Sequence, residues 1–237
     1  MDIKLSKRMQ AVADMVDGEN VADIGCDHAF VSIYLAGKPF VKKVIAMDVK
    51  TGPVDIAKAN VAAYNLENKI EIRMSDGFGN LEVGEADVAV IAGMGGYLMI
   101  DILKNGISHL NGGIGLVLQP QSDIKAVREY LVSVGYTIVD EDMLIEDGKY
   151  YSIIKAVPDS GEKADYSVDD YTCGPILLKK KHKTLKEYLH FSKEKNLQLE
   201  KKLSEQGSLK SKERIQELIE ERKYIDNILQ NFFEESI

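Results

Sequence analysis

The chain has no tryptophan, only two cysteines, four histidines and five prolines in 237 residues. Cys26 and Cys173 cannot build a disulfide framework, and cysteine this sparse fits a reducing, cytoplasmic setting. Neither lies in a C-x2-C pair and the histidines are scattered, so no zinc spacing exists and no metal is expected. Long apolar runs are missing too. No stretch of about 18 apolar residues is there to span a membrane, and MDIKLSKRMQ lacks the apolar segment of a secretory leader. Positive charge is the minority sign, with a formal net charge of −8, which by itself disfavours a nucleic-acid binder. The distribution argues otherwise. Residues 1–175 carry −11, residues 176–202 carry +6 and residues 203–237 carry −3, so one basic segment sits in an acidic protein. Local fields govern contacts more than the total does.

What is present, up to about residue 158, is a regular alternation of short apolar strands and helical stretches. Strands are expected near 20–24, 43–48, 69–73, 86–92 and 113–119, rich in Val, Ile and Ala and mostly without polar alternation, the pattern of strands buried on both faces. Helices are expected near 29–37, 53–65, 96–106 and 122–134. Such alternation makes a parallel sheet with helices on both faces. Residues 136–157 break the rhythm and read as two strands joined at Asp147-Gly148, a hairpin-turn dipeptide. An antiparallel hairpin closing a parallel sheet is the ending of class I methyltransferases, whereas a dinucleotide-binding fold more often ends on another helix-linked parallel strand. The fold class is therefore α/β: a Rossmann-like sheet of five parallel strands plus a C-terminal antiparallel hairpin, followed by a helical hairpin.

The boundary is placed at 160/161. Residues 159–175 read as a linker, and Leu178, Leu185, Leu189, Ser192, Asn196, Leu199 and Leu203 then recur at steps of mostly three and four. Gln206-Gly207-Ser208 interrupts the pattern, and Leu218, Ile225, Ile228 and Phe232 resume it. Two such helices fold back as an antiparallel coiled coil. A monomer is expected, with dimerisation through this hairpin as the alternative.

The chemistry centres on VADIGCDHAF, residues 21–30, in which a strand stops at Gly25 and a helix follows. In doubly wound folds the cofactor crevice lies beyond such strand ends. The dinucleotide fingerprint G-x-G-x-x-G has Asp27 in place of its second glycine, and a carboxylate there repels a pyrophosphate, so NAD is disfavoured. A ligand with an amino group and a sulfonium suits Asp23 and Asp27, and S-adenosylmethionine has both. Asp48 ends the second strand, where a carboxylate accepts ribose hydroxyls. Asp76 follows the third, in reach of an adenine amino group. After the fourth strand, IAGMGGYL has no Asn/Asp-Pro-Pro to grip an amine; Gly93, Gly95 and Gly96 instead leave a slot for a flat base. Gln119, ending the fifth strand, donates and accepts, as the edge of a base requires.

LSKRM (5–9), DIGCDHA (23–29), GP (52–53), SDG (75–77), IAGMGG (91–96), LQP (118–120) and EDGKYY (146–151) occur in one order, with Gly174-Pro175 ahead of the helical hairpin. In these runs the chain resembles the bacterial tRNA (adenine-N1)-methyltransferases that modify adenine 22 of the D-loop. The resemblance covers nearly the whole chain. It implies methyl transfer from S-adenosylmethionine to N1 of an adenine in tRNA, with the hairpin holding the RNA. Matching cofactor positions are Gly25, Asp27 and His28, then Asp48 and Val49, Asp76 and Gly77, and Gly93 and Met94. Phe30 stands where the family commonly has Tyr, so no catalytic part is assigned to it; Asp48 often is Glu. Asp27, His28 and Gln119 are the candidates for positioning the base. Lys179, Lys180, Lys181 and Lys183, in LKKKHK, with Lys7 and Arg8 on the first helix, form the expected RNA-binding patch. Two alternatives share the crevice: a methyltransferase of a small molecule or protein, and a non-catalytic S-adenosylmethionine-binding module with a partner on its coiled coil.

Overall fold

Strands and helices largely alternate from Asn20 to Ser133, a strand hairpin follows, and the strands assemble into one seven-stranded sheet of order β3-β2-β1-β4-β5-β7-β6. The computed structural model describes residues 3–161, 165–205 and 208–234. Two units separate between Ser167 and Val168. The first opens with α1 (Lys7–Asp14), capped by the Ser6 hydroxyl, which accepts from the Met9 amide. Then come β1 (Asn20–Ile24), α2 (Phe30–Ala36), β2 (Lys43–Asp48), α3 (Thr51–Ala63), β3 (Ile70–Met74) and β4 (Val88–Met94). After them follow α4 (Gly96–Asn105), α5 (Ile107–Asn111), β5 (Gly115–Pro120), α6 (Ile124–Ser133), β6 (Tyr136–Glu146) and β7 (Lys149–Pro158).

The first five strands pair in parallel, and β7 runs antiparallel to β5 and β6, so the class I methyltransferase arrangement expected from the sequence is what forms. Val21, Ala22, Val44, Ile45, Ala46, Leu116, Val117 and Leu118 are fully buried, which is why these strands read as apolar runs. The β6–β7 turn is Asp147-Gly148 with φ of 49° and 71°, both left-handed as a type I′ hairpin requires. The register of β6 against β7 shifts between Ile138 and Asp140, a β-bulge. The hairpin is bolted to α6 by a buried ion pair, Arg128 Nε to Glu141 Oε1 at 2.8 Å, with both side chains 1% exposed or less.

The second unit contains two short helices, α7 (Val168–Cys173) and α8 (Pro175–Lys179), then α9 (Lys183–Ser204) and α10 (Leu209–Phe233). The expected linker is thus helical at its C-terminal end, and the expected continuous helix from Leu178 is broken. Lys181 adopts φ 48°, its amide donates to Leu178 O, and His182 donates to Leu177 O, the Schellman stop. Pro175 opens α8 at a position where a missing N–H is harmless. The antiparallel pairing of α9 and α10 follows from their contacts: Lys193 with Asp226 at 2.5 Å, Asn196 with Glu221 at 2.9 Å, and Glu200 with Arg222. Leu185, Leu189, Leu218, Ile225 and Ile228 are buried in the unit, whereas Leu199 is exposed, so the expected seam weakens beyond Asn196. Gln206 and Gly207 of the expected break lie outside the described residues, and Ser208 caps α10 by accepting from the Ser211 amide at 3.1 Å.

Removing one partner of a buried pair leaves the other charge uncompensated, at a cost of about 3–5 kcal/mol. Glu141→Leu is therefore expected to lower the unfolding free energy by that amount in urea titration. A change under about 1 kcal/mol, the size of a surface pair, would show that the pair does not hold the hairpin to α6.

Candidate active site

The chain leaves β1 through a turn whose backbone is unusual for its sequence. Gly25, Asp27 and Ala29 all have positive φ, at 75°, 50° and 60°. Gly25 adopts this freely, but Asp27 and Ala29 do so at about 1–2 kcal/mol each. Hydrogen bonds to β2 hold the turn. The amides of Gly25 and Cys26 both donate to Met47 O, at 2.8 and 2.9 Å, and the Asp27 amide donates to Asp48 Oδ2 at 3.2 Å. Asp48 Oδ1 accepts from Lys50 N at 3.0 Å. The residue that ends β2 therefore fixes the loop that ends β1.

Two adjoining cavities, of about 390 and 280 Å³, lie beyond the carboxyl ends of β1, β2 and β4, where strand order reverses. Asp23, Gly25, Asp27, His28, Asp48, Gly93 and Met94 line the larger. Asp48, Val49, Asp76 and Gly77 line the smaller, together with Leu98 and Ile102 of α4. All ten positions expected to hold a cofactor thus converge on one crevice. Met94 lines both cavities and lays its Cε against Gly25, 2.1 Å from where a Cβ would stand there.

Electrostatically the crevice is acidic. Asp23 is 5% exposed and accepts from Ser32 Oγ at 2.5 Å. Burial raises its carboxyl from 3.8 to about 6, the Ser32 hydrogen bond opposes the rise, and the Asp48 charge adds to it. Among the described residues no cation is paired with it. The neighbouring Cys26 thiol is pushed far up by burial and by Asp23 and Asp48, so it is no nucleophile. Asp27 and His28 project into solvent at the rim, 74% and 42% exposed, with Asp27 Oδ1 3.6 Å from His28 Nε2. The His28 carbonyl is held by Asn60 Nδ2 at 2.9 Å. The Asp76 loop is shaped by Ser75, whose hydroxyl donates to Gly77 O at 3.0 Å and accepts from Asn80 N at 2.9 Å.

Three expectations about individual side chains change. Gln119 does not face the crevice: it is fully buried, Oε1 accepting from Arg8 Nη1 at 2.6 Å and from Gly93 N at 3.2 Å while Nε2 donates to Pro120 O at 3.1 Å. Its amide fixes the Gly93 loop and is not free to read a base edge. Gly96 is not part of an open slot, because a Cβ there would meet Ser122 O at 2.4 Å; it lets α4 pack against the 122–123 backbone. Arg8 does not extend an outer basic patch. Lys7 is exposed, but Arg8 turns inward and lines the larger cavity, its guanidinium carbon 5.0 Å from the Tyr151 ring centroid. Lys179, Lys180, Lys181 and Lys183 are exposed in the second unit, around the stop between α8 and α9; Lys181 pairs with Glu234 and Lys183 with Glu187. Sequence reasoning missed the Arg8 contact with Glu146 and Tyr151. The signal was in LSKRM and EDGKYY, two distinctive runs at opposite ends of the domain that pack together.

A carboxylate raised by burial carries its proton in the folded protein at a pH where the unfolded chain has lost it. Between pH 3.8 and about 6 the folded state binds more protons, so Asp23 takes stability away as pH rises through that window. Asp23→Asn, which still accepts from Ser32, is expected to be more stable than the parent at pH 7 and no more stable at pH 4. Urea midpoints at the two pH values check this, and an equal gap at both would contradict it.

The comparisons with known proteins agree with this geometry. The profile of the family described as tRNA (adenine(22)-N(1))-methyltransferase matches residues 21–224. The tRNA (adenine(22)-N(1))-methyltransferase of Bacillus subtilis is 37% identical over 188 residues, covering 76% of this chain and 78% of that protein. Streptococcus pneumoniae Sp1610, solved with S-adenosyl-L-methionine, superposes with a TM-score of 0.82 at 31% identity, over 95% of this chain and 100% of that one. M. capricolum TrmK, solved with S-adenosyl-homocysteine, superposes with a TM-score of 0.78 at 28% identity, over 94% and 99%. With the motif order, the strand order and the acid-lined crevice in place, the chain belongs to the tRNA (adenine(22)-N(1))-methyltransferase family.

Proposed function

We propose that the chain transfers a methyl group from S-adenosylmethionine to N1 of adenine 22 in the D-loop of tRNA. The observation that carries the reading is the row of acids after three successive strands, Asp23 and Asp27, Asp48, and Asp76, gathered around one crevice in a member of this family.

The residues fit the methyl donor. Asp48 accepts two backbone amides, and a carboxylate has about four acceptor sites, so ribose hydroxyls can still be accepted. Asp76 lies in the smaller cavity, where an adenine amino group would donate to it. Asp23 is a buried carboxylate with no cation paired to it among the described residues, and an ammonium beside it would relieve the charge. The bound donor supplies a sulfonium methyl group, electrophilic without further activation. Neutral adenine N1 already has its lone pair, so the protein's task is alignment. Methylation makes the ring cationic, and Asp27 at the rim, beside His28, is placed to stabilise that charge. Gln119 acts one step back, by holding the Gly93 amide.

The target base sits in a folded tRNA and must leave its stack to enter the crevice. Recognition then rests on backbone and shape. The exposed lysines around the α8–α9 stop are the phosphate-binding candidates, and such contacts are strongly salt-dependent.

Incubation with labelled S-adenosylmethionine and unmodified tRNA is expected to yield 1-methyladenosine on nucleoside analysis; donor binding without label in RNA would exclude the tRNA substrate. Asp48→Ala removes a charged acceptor worth about 1.5–3 kcal/mol, so the donor's dissociation constant is expected to rise about ten- to a hundredfold by calorimetry. An unaltered titration would refute the ribose role. Changing Lys179, Lys180, Lys181 and Lys183 together to Glu is expected to weaken tRNA binding and flatten its salt dependence while donor affinity is kept. Unchanged tRNA affinity would remove this segment from RNA recognition.

A further inference from the structure

The end of β5 carries glutamines on both sides of Pro120. Gln119 is fully buried and its amide is committed to Arg8, Gly93 and Pro120. Gln121 is the opposite case. It is exposed, it lines the larger cavity, and its side chain has no hydrogen-bond partner among the described residues. Among the described residues lining either cavity it is the one side-chain carboxamide, a group that both donates and accepts.

The tip of Gln121 is free, but the backbone that carries it is laced to the end of β4. Its amide donates to Met94 O at 2.8 Å, and the next residue, Ser122, accepts from Gly96 N through Oγ at 3.3 Å. The β4–β5 register shifts between Ala92 and Met94, and Gly93 at the shift has φ 78°. Such a bulge re-aims the groups beside an active site. The Gln121 amide lies next to this bulge: a Cβ added at Gly93 would stand 3.8 Å from its Nε2. The run after β4, GMGGYL, has no carboxylate or carboxamide of its own. A side-chain acceptor at this edge of the cavity therefore comes from the neighbouring strand end.

The chemistry of the base says what such a group does. Adenine shows N1, an acceptor, beside its 6-amino group, a donor. N1 is the reacting atom, and a side chain that donates to it would occupy the lone pair needed for attack. A productive contact takes the amino group alone. On methylation the N1 lone pair becomes the new N–C bond, and the electrons of the broken S–C bond stay on sulfur. The positive charge left on the ring spreads to the amino group, whose N–H becomes a stronger donor. An acceptor already in place there holds the transition state more tightly than the ground state.

Resting on the proposed methylation of adenine N1, we infer that Gln121 contacts the target base, its Oε1 accepting from the 6-amino group while N1 stays clear. Rotation of the amide presents the oxygen, since no hydrogen bond among the described residues fixes it. Asp27 at the rim acts on the charge of the ring; Gln121 acts on one atom of it and sets the register of the base in the cavity. The part that the sequence gives to Gln119 belongs to the glutamine two residues on.

The experiment compares tRNA carrying adenosine at the target position with tRNA carrying purine ribonucleoside there, which keeps N1 and lacks the amino group. Label transfer from S-adenosylmethionine is followed in single turnover with the full chain, as parent and as Gln121→Leu, long enough to label the purine substrate. The two bases differ in intrinsic reactivity, but that difference is common to both proteins and cancels in the comparison of their adenosine-to-purine rate ratios. Gln121→Leu is expected to lower the ratio about tenfold, the scale of one hydrogen bond to a group that gains charge, by slowing adenosine alone. Gln121→Glu keeps an oxygen at the same reach and is expected to preserve the ratio. The site is exposed, so neither substitution removes a packed contact, and a general loss of stability would slow both substrates alike. A ratio unchanged in Gln121→Leu overturns the assignment, as does a fall shared by both substrates with weaker donor binding in calorimetry, which would place Gln121 on the donor. A parent that labels neither RNA refutes the proposed reaction itself, a different failure from loss of the preference.

Discussion

The structure depends on how the end of β2 holds the turn after β1. Met47 O accepts two amides from that turn and Asp48 accepts a third, so three consecutive N–H groups, from Gly25, Cys26 and Asp27, are tied to one neighbouring strand end. This lacing sustains left-handed conformations at Asp27 and Ala29 that their side chains disfavour. Without it the loop would relax, and the walls of both cavities would go with it. Asp48 consequently has a structural duty beside the binding one proposed for it. The residue that would accept ribose hydroxyls also fixes the loop against which the rest of the donor would lie.

The same economy of position concentrates negative charge. Asp23, Asp27 and Asp48 converge because strand ends converge at the point where strand order reverses, between β1 and β4. The cost shows in Asp23, whose carboxyl is held up at about 6 by burial and by its neighbour. A site that destabilises its own empty form in this way favours a cationic ligand. Arg8 reaches the larger cavity from outside the sheet, on α1, braced by Gln119 of β5, by Glu146 of β6 and by Tyr151 of β7. This bracing gives the antiparallel hairpin a part in the site as well as in closing the sheet.

Much of this was legible in the sequence. Parallel strands buried on both faces must be apolar throughout, so β1, β2 and β5 stand out, and the acids at the ends of β1 and β2 mark the crevice. Asp147-Gly148 could hardly be anything but the hairpin turn. Orientation was harder to read. Lys7 and Arg8 are adjacent basic residues on one helix, and only the packing of β6 and β7, some 140 residues later, decides that one faces water and the other the cavity. Gln119 reads as a crevice residue because its strand ends there, yet its side chain turns into the packed interior, a choice set by partners far away in the chain. The helical hairpin shows the same limit. Leucine spacing predicts the pairing of α9 and α10, but the left-handed stop at Lys181, where glycine is the usual residue, leaves no mark in the pattern, so a continuous helix was the natural reading.

A crystal structure of the full chain with S-adenosylhomocysteine tests the central claim most directly, because it shows which strand ends hold which part of the ligand. The account predicts the ribose hydroxyls within hydrogen-bond distance of Asp48, with the turn of residues 25–29 still tied to Met47 and Asp48. A ribose held elsewhere, with the Asp48 carboxylate touching only backbone amides, would contradict it.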